Sequence, residues 1–304
     1  MAEQADGLMT IQDYVRWGAS RFNSAGVFFG HGTDNALDEA AHLVLAALSL
    51  QPDLPASFRE CRLTSAERAM VTDLIERRVS ERLPAAYLTG RAWFAGMEFD
   101  IDARVLVPRS PIAELVEVGF EPWIDAERVD RILDLCTGSG CIGIAAAVYV
   151  AHADVDLADI SQAALAVARR NVEKHQVADR VRVLESDLFS GLAGERYDVI
   201  CCNPPYVPRA ELDGLPPEYQ WEPRLALLGG DDGQDLLLRI LREAGRHLTD
   251  EGILVLEAGC AAPGLEQRLP RVPWTWIQFE RGGEGVLLLS RAQIKQHQRD
   301  FEEA

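Results

Sequence analysis

The chain has 304 residues, 48% hydrophobic and 26% charged, the balance of a globular protein with one large core and room for a smaller one. Asp and Glu number 48 against 30 Lys and Arg, and the net charge of −18 argues against direct nucleic-acid binding while favouring basic macromolecules as partners. Residues 1–13 show neither the basic flank nor the apolar run of a signal peptide, and stretches such as residues 142–151 are too short to cross a bilayer, so a cytoplasmic location and no membrane contact are expected.

Up to about residue 83 the pattern is helical. Thr10 caps a helix over residues 11–22, and a second helix over 35–50 places Leu37, Ala41, Val44 and Leu48 on one face. Between them, residues 28–35 (Phe-Phe-Gly-His-Gly-Thr-Asp-Asn) form a glycine-broken loop, read as a helix connector whose aromatics also suit a partner contact. Thr64-Ser65-Ala66-Glu67 is a capping box that starts a third helix with Val71, Leu74, Ile75 and Val79 on its inner side. Pro84 stands where that helix should stop. Residues 1–86 therefore read as a small helical domain, expected to recognise the substrate.

From Tyr87 the pattern changes. Trp93-Phe94, residues 98–102 and residues 105–107 suggest short strands, a hairpin linker over residues 87–111 that ends in the rigid turn Pro108-Arg109-Ser110-Pro111. A helix over 112–120 follows. Beyond Val129, strands (132–135, 155–158, 181–184, 197–202, 253–256) alternate with helices (141–150, one capped by Ser161 with Leu165, Ala168 and Val172 inward, and 234–248). Residues 274–280 and 285–289 fold back across Gly282-Gly283 as an antiparallel hairpin, and the polar tail after Ser290 is compatible with helix. The fold class is α/β: a Rossmann-like, mainly parallel sheet covered on both faces, spanning residues 112–304, plus the N-terminal helical domain.

Asp134-Leu135-Cys136-Thr137-Gly138-Ser139-Gly140 follows a strand and opens a helix, where glycines let a ligand approach the backbone. The loop alone also fits a dinucleotide fingerprint, Gly138-x-Gly140-x-x-Gly143. Asp159, ending the next strand, can grip ribose hydroxyls in either case, or serve as an acid at a helix start. Three details separate the readings. Asp134 stands inside the strand end, as in S-adenosylmethionine sites; Asp187 ends the third strand, where an adenine amino group can be met, with Leu188 or Phe189 packing on the purine; and Asn203-Pro204-Pro205-Tyr206 ends the fourth strand above the same crevice.

Two prolines cannot continue a sheet ladder, so the chain must leave the sheet at Asn203 in a stiff turn. That turn offers an amide side chain, a carbonyl and an aromatic ring, which together can hold a flat group bearing –NH2. No zinc spacing appears: the six cysteines, Cys61, Cys136, Cys141, Cys201, Cys202 and Cys260, make no C-x-x-C pair, no metal is expected, and Cys136, Cys141, Cys201 and Cys202 read as small buried residues.

With these motifs in place the chain resembles the class I S-adenosylmethionine-dependent methyltransferases that modify amide or exocyclic amino nitrogen, and within them the bacterial protein-(glutamine-N5) methyltransferases. The resemblance runs over essentially the whole length, through residues 28–35, Val105-Leu106-Val107-Pro108-Arg109-Ser110-Pro111, residues 136–141 and Gly282-Gly283-Glu284-Gly285-Val286. It implies S-adenosylmethionine as cofactor and S-adenosylhomocysteine as product, held by Asp134, Cys136, Thr137, Gly138, Ser139, Gly140, Asp159, Asp187, Leu188 and Asn203. Asn203, Pro204, Pro205 and Tyr206 are the expected catalytic set. The Asn203 side-chain oxygen and the Pro204 carbonyl would accept the two amide hydrogens, Pro205 would stiffen the turn and Tyr206 would pack on the amide plane. Ser110-Pro111 and Cys136 depart from the pattern of the branch acting on peptide release factors, and favour the branch acting on a glutamine of the basic large-subunit ribosomal protein L-three. An adenine-N6 nucleic-acid methyltransferase shares the Asn-Pro-Pro-Tyr logic and is disfavoured by the charge. Glu222 could shape the glutamine pocket or form a loop salt bridge.

Overall fold

The computed structural model describes residues 7–51 and 53–304; residues 1–6, with the start of the 1–86 region and of the stretch read for a leader, lie outside the described residues. Two compact units emerge: Met1–Ala92 with Pro216–Trp221, and Trp93–Leu215 with Glu222–Ala304. No helix among the described residues is long and apolar enough to cross a membrane.

The first unit packs α1 (Ile11–Ser24), α2 (Ala36–Ala47), α3 (Ser65–Glu81) and α4 (Ala85–Thr89) around Tyr14, Phe22, Leu43, Val71 and Ile75. Thr10 and Thr64 both close capping boxes, with Asp13 and Glu67 reaching back. The expected face of α2 is displaced: Ala36, Ala40, Leu43 and Val44 point inward and Leu37 is exposed. The cause is Glu39, fully buried on that inner face, whose Oε1 takes the Nε–H of the equally buried Arg78 of α3 at 2.6 Å. Arg78 also donates to Glu218 Oε1 at 3.2 Å and to the Phe28 carbonyl at 2.8 Å, while Thr33 donates to Glu39 Oε2 at 2.8 Å. A charged pair thus takes a place that an apolar-face reading gives to Leu37, and it anchors the loop over residues 28–35 at both ends.

A two-stranded ladder, β1 (Arg91–Phe94) and β2 (Met97–Asp100), begins where the division between the units falls. Residues 105–107 are not a strand. Val107 N–H is taken by the Glu222 carboxylate at 3.1 Å and Val105 N–H by the Asp102 carbonyl in a turn, so neither is left for a ladder. The next helix, α5 (Ile112–Glu117), is shorter than expected because Gly119 and Phe120 turn the chain at φ +61° and +67°.

The second unit is built on a seven-stranded sheet in the order β5-β4-β3-β6-β7-β9-β8. Its strands are β3 (Arg131–Leu135), β4 (Asp154–Asp159), β5 (Val181–Glu185), β6 (Tyr197–Cys202), β7 (Leu248–Glu257), β8 (Thr275–Trp276) and β9 (Val286–Ser290). β9 runs antiparallel to β7 and β8, and the other pairs are parallel. The helices α6 (Cys141–Tyr149), α7 (Gln162–Lys174), α8 (Arg209–Leu212), α9 (Asp235–His247), α10 (Ala262–Arg268), α11 (Arg291–Gln296) and α12 (Gln298–Glu303) complete the unit. Ile132, Leu133, Ile200, Leu254 and Leu256 are at or near zero exposure, as expected of strands covered on both faces. α7 turns Leu165, Ala168 and Val172 inward, as its spacing requires.

Candidate active site

The ends of β3, β4 and β5 and the turn after β6 meet at a cavity of about 260 Å³ in the second unit. Its walls include Cys136, Thr137, Gly138, Ser139, Asp159, Asp187, Leu188, Asn203 and Pro205, nine of the thirteen site positions expected from sequence. The other four sit behind the wall. Gly140 is the left-handed cap that starts α6, Pro204 is buried in the turn, and Asp134 and Tyr206 support the loop and the turn from below.

Asp134 is fully buried in β3. Its Oδ2 accepts the Thr137 hydroxyl at 2.5 Å and the Gly143 amide at 2.9 Å, so it ties the loop to the first turn of α6. Only glycine fits at 143: a Cβ there would lie 2.2 Å from Leu157 and 2.8 Å from the Asp134 Cβ. Asp134 Oδ1 has no hydrogen-bond partner among the described residues, and burial pushes the carboxyl up to about 7. Asp159 accepts the amides of Gly138 at 2.9 Å and Ser161 at 2.8 Å, and its pKa is raised by burial. It thus holds the glycine loop and opens α7 at once while facing the cavity.

Two non-glycine residues on the wall adopt left-handed backbone, Cys136 at φ +59° and Leu188 at φ +47°. Such a conformation costs a side-chain-bearing residue roughly 1–2 kcal/mol, and it recurs where a site dictates the backbone. Cys136 is half-buried at the cavity, unlike the buried Cys141, Cys201 and Cys202, and all six cysteines are free. Asp187 pairs with Arg239 at 2.9 Å, and Leu188 faces the cavity while Phe189 stacks instead on His247, ring centroids 4.6 Å apart.

Another part of the wall comes from the stretch over residues 105–110, which reads in the sequence as a strand, a rigid turn and a carrier of the resemblance but not as site residues. Val105, Val107, Arg109 and Ser110 line it, held by Glu222, whose carboxylate receives two hydrogen bonds from Arg109 at 2.7 and 2.8 Å. Glu222 is therefore a salt-bridge residue. Ile160 also lines the cavity with half its surface exposed, and an apolar side chain left open directly after the β4 acid is the one sequence-visible sign of it. The Tyr206 ring packs on Gly259 and its hydroxyl donates to Glu257 at 2.9 Å; burial, then the neighbouring carboxylate, raises the phenol pKa. Among the described residues no group of three or more His, Cys, Asp or Glu is placed to hold a metal ion.

A pocket with acids at two strand ends, a close-approach loop and apolar residues between them suits a small ligand carrying hydroxyls, an amino group and a flat ring. The methyltransferase small domain family matches residues 93–214. A ribosomal protein uL3 glutamine methyltransferase from Xanthomonas campestris pv. campestris is 53% identical over 97% of this chain and 96% of the relative. One of the same description from Francisella tularensis subsp. tularensis is 47% identical over 97% of this chain and 95% of the relative. Among solved structures, the hMettl16 catalytic domain in complex with MAT2A 3'UTR hairpin 6 is similar with a TM-score of 0.50 and 17% identity, covering 80% of this chain and 90% of that one, a likeness of fold.

Proposed function

The chain belongs to the ribosomal protein uL3 glutamine methyltransferases, and from that premise we propose that it methylates the side-chain amide nitrogen of a glutamine in uL3, with S-adenosylmethionine as the donor. The observation that carries the reading is that the turn starting at Asn203 and the glycine loop with Asp159 face one cavity. When bound, the cofactor supplies a methyl group activated by the positive charge on its sulfur.

The residues present suit that cofactor. Each oxygen of Asp159 takes one backbone amide and keeps a lone pair for ribose hydroxyls. Asp187, two residues past the end of β5, can accept from the adenine amino group, with Leu188 and Ile160 against the purine. Backbone at Gly138 can come close to the ligand, since even an added Cβ there would touch nothing.

An amide nitrogen is a poor nucleophile because its lone pair is shared with the carbonyl. The Asn203 side-chain oxygen and the Pro204 carbonyl accept its two hydrogens, raise the electron density on nitrogen and aim it at the methyl. Pro204 and Pro205 stiffen the turn. Holding nitrogen and methyl in line can supply several kcal/mol of the barrier, up to about 7–11 in ideal cases. The methylated nitrogen sheds its proton readily, so no strong base is needed. The excess of acid on the chain suits a basic ribosomal protein as substrate.

Asn203→Ala should slow methyl transfer to uL3 by about 100-fold or more, the order seen when a reacting group loses one oriented hydrogen-bond partner, with cofactor affinity retained. Asp159→Ala should weaken cofactor binding, read by calorimetry. An Asn203→Ala chain that works at the wild-type rate would remove the turn from the mechanism.

A further inference from the structure

One carboxylate ties the two walls of the cavity together. Glu257 ends β7, is buried, and belongs to none of the sequence motifs. In the parallel β6–β7 ladder Cys202 is abreast of Leu256, so Glu257 stands beside the point where Asn203 leaves the sheet. Its Oε1 accepts the Tyr206 hydroxyl at 2.9 Å and its Oε2 accepts the Ser110 hydroxyl at 2.5 Å. Ser110 Oγ in turn accepts the Ile112 amide at 3.2 Å. The Tyr206 ring is seated on a residue that can only be glycine: a Cβ at Gly259 would lie 2.4 Å from the ring. Behind it, the Gly285 carbonyl accepts the amides of Ala258 at 2.7 Å and Gly259 at 3.2 Å, and a Cβ at Gly285 would strike Gly259 at 2.7 Å. Gly285, at the end of the glycine-rich turn, is thus the backing of the seat for Tyr206.

We propose that Glu257 is a positioning residue for methyl transfer: it tethers the Tyr206 end of the acceptor turn to Ser110, fixing Asn203 opposite the cavity wall formed by residues 105–110. This rests on reading Asn203-Pro204-Pro205-Tyr206 as the acceptor turn. Asn203 is held at one end by β6, and the tether holds the other, so the amide acceptors cannot swing away from the reacting line. A carboxamide can replace the carboxylate, since its oxygen still accepts from Tyr206 and its NH2 can donate to the Ser110 oxygen.

The test is steady-state methylation of uL3 with Tyr206→Phe, Glu257→Ala, Glu257→Gln and the double variant Tyr206→Phe/Glu257→Ala. Losing a hydrogen bond to a buried carboxylate should lower kcat by about 10–100-fold in Tyr206→Phe and in Glu257→Ala, with KM for uL3 and the cofactor dissociation constant unchanged. Glu257→Gln should recover most of the rate, and the double variant should be no slower than Glu257→Ala. Wild-type kcat in Tyr206→Phe, or a Glu257→Gln chain that folds and is as slow as the alanine variant, overturns the tether. If Glu257→Ala does not fold, Tyr206→Phe and Glu257→Gln decide. A wild-type chain that labels no uL3 overturns the proposed function instead. The tether is then decided by thermal unfolding of Tyr206→Phe and Glu257→Gln: a lowered midpoint in Tyr206→Phe with Glu257→Gln near wild type supports it, and an unchanged midpoint in Tyr206→Phe, or an equal loss in both, overturns it.

Discussion

A carboxylate with one oxygen hydrogen-bonded and the other buried without a partner, as in Asp134, is poorly stabilised as an anion and keeps its proton up to about pH 7. An acid whose folded pKa lies above its ordinary value of 3.8 favours the folded state most at low pH, and that contribution is lost as the pH rises through the folded value. Asp134→Asn cannot titrate. Thermal unfolding should show wild type losing stability relative to this variant from about pH 4, the ordinary value, up to about pH 7, the folded one; parallel curves would mean that Asp134 ionises in the fold as it does in water. Asp134 itself was visible in the sequence, because it stands at a fixed place before a glycine loop, and so were Asp159 and Asn203, each at the end of an apolar strand. Glu257 was not: its two partners lie 51 and 147 residues away, and nothing local marks it as different from any strand-end acid. Arg109 and Ser110 were visible as parts of a rigid turn and of the stretch that carries the resemblance, but not as site residues, since what makes them a cavity wall is the distant Glu222 and Glu257.

At the level of the element, caps read directly from sequence carried through: Thr10, Thr64 and Ser161 all start helices with their side chains, and Ser290, which the sequence marked only as the start of a helix-compatible tail, does the same. The faces of helices were less legible where a charge is buried. α2 turns Glu39 inward to meet Arg78, and the same arginine holds the Phe28 carbonyl and Glu218, so the loop over residues 28–35 owes its shape to α3 and to a distant segment of the chain. Removing Arg78 would leave the buried Glu39 without its counter-charge and Glu218 with only the longer ion pair to Arg82 at 3.4 Å. Arg78→Met should therefore destabilise the protein by about 3–5 kcal/mol in urea unfolding, and adding Glu39→Gln and Glu218→Gln to it should restore a large part of the loss. A single Arg78→Met variant within about 1 kcal/mol of wild type would show that the cluster is solvated rather than buried.

Across the whole molecule, the parallel sheet was legible because its strands are near-continuous apolar runs separated by helices of clear periodicity, and the antiparallel strand β9 because a glycine-rich turn precedes it. The hairpin partner β8 is only two residues long, shorter than the alternation of residues 274–280 implied. The grouping of Pro216–Trp221 with the first unit was not legible at all, since it depends on Glu218 finding Arg78 140 residues away. The −18 charge, a property of the entire surface, weighs toward a basic protein and away from nucleic acid as the methyl acceptor. Mass spectrometry of ribosomal proteins and peptide release factors from cells with and without this chain tests that account most directly. One methylated glutamine on uL3 should disappear when the chain is absent, with release-factor methylation intact; a uL3 unchanged by the loss, or release factors that lose their methyl group instead, would contradict it.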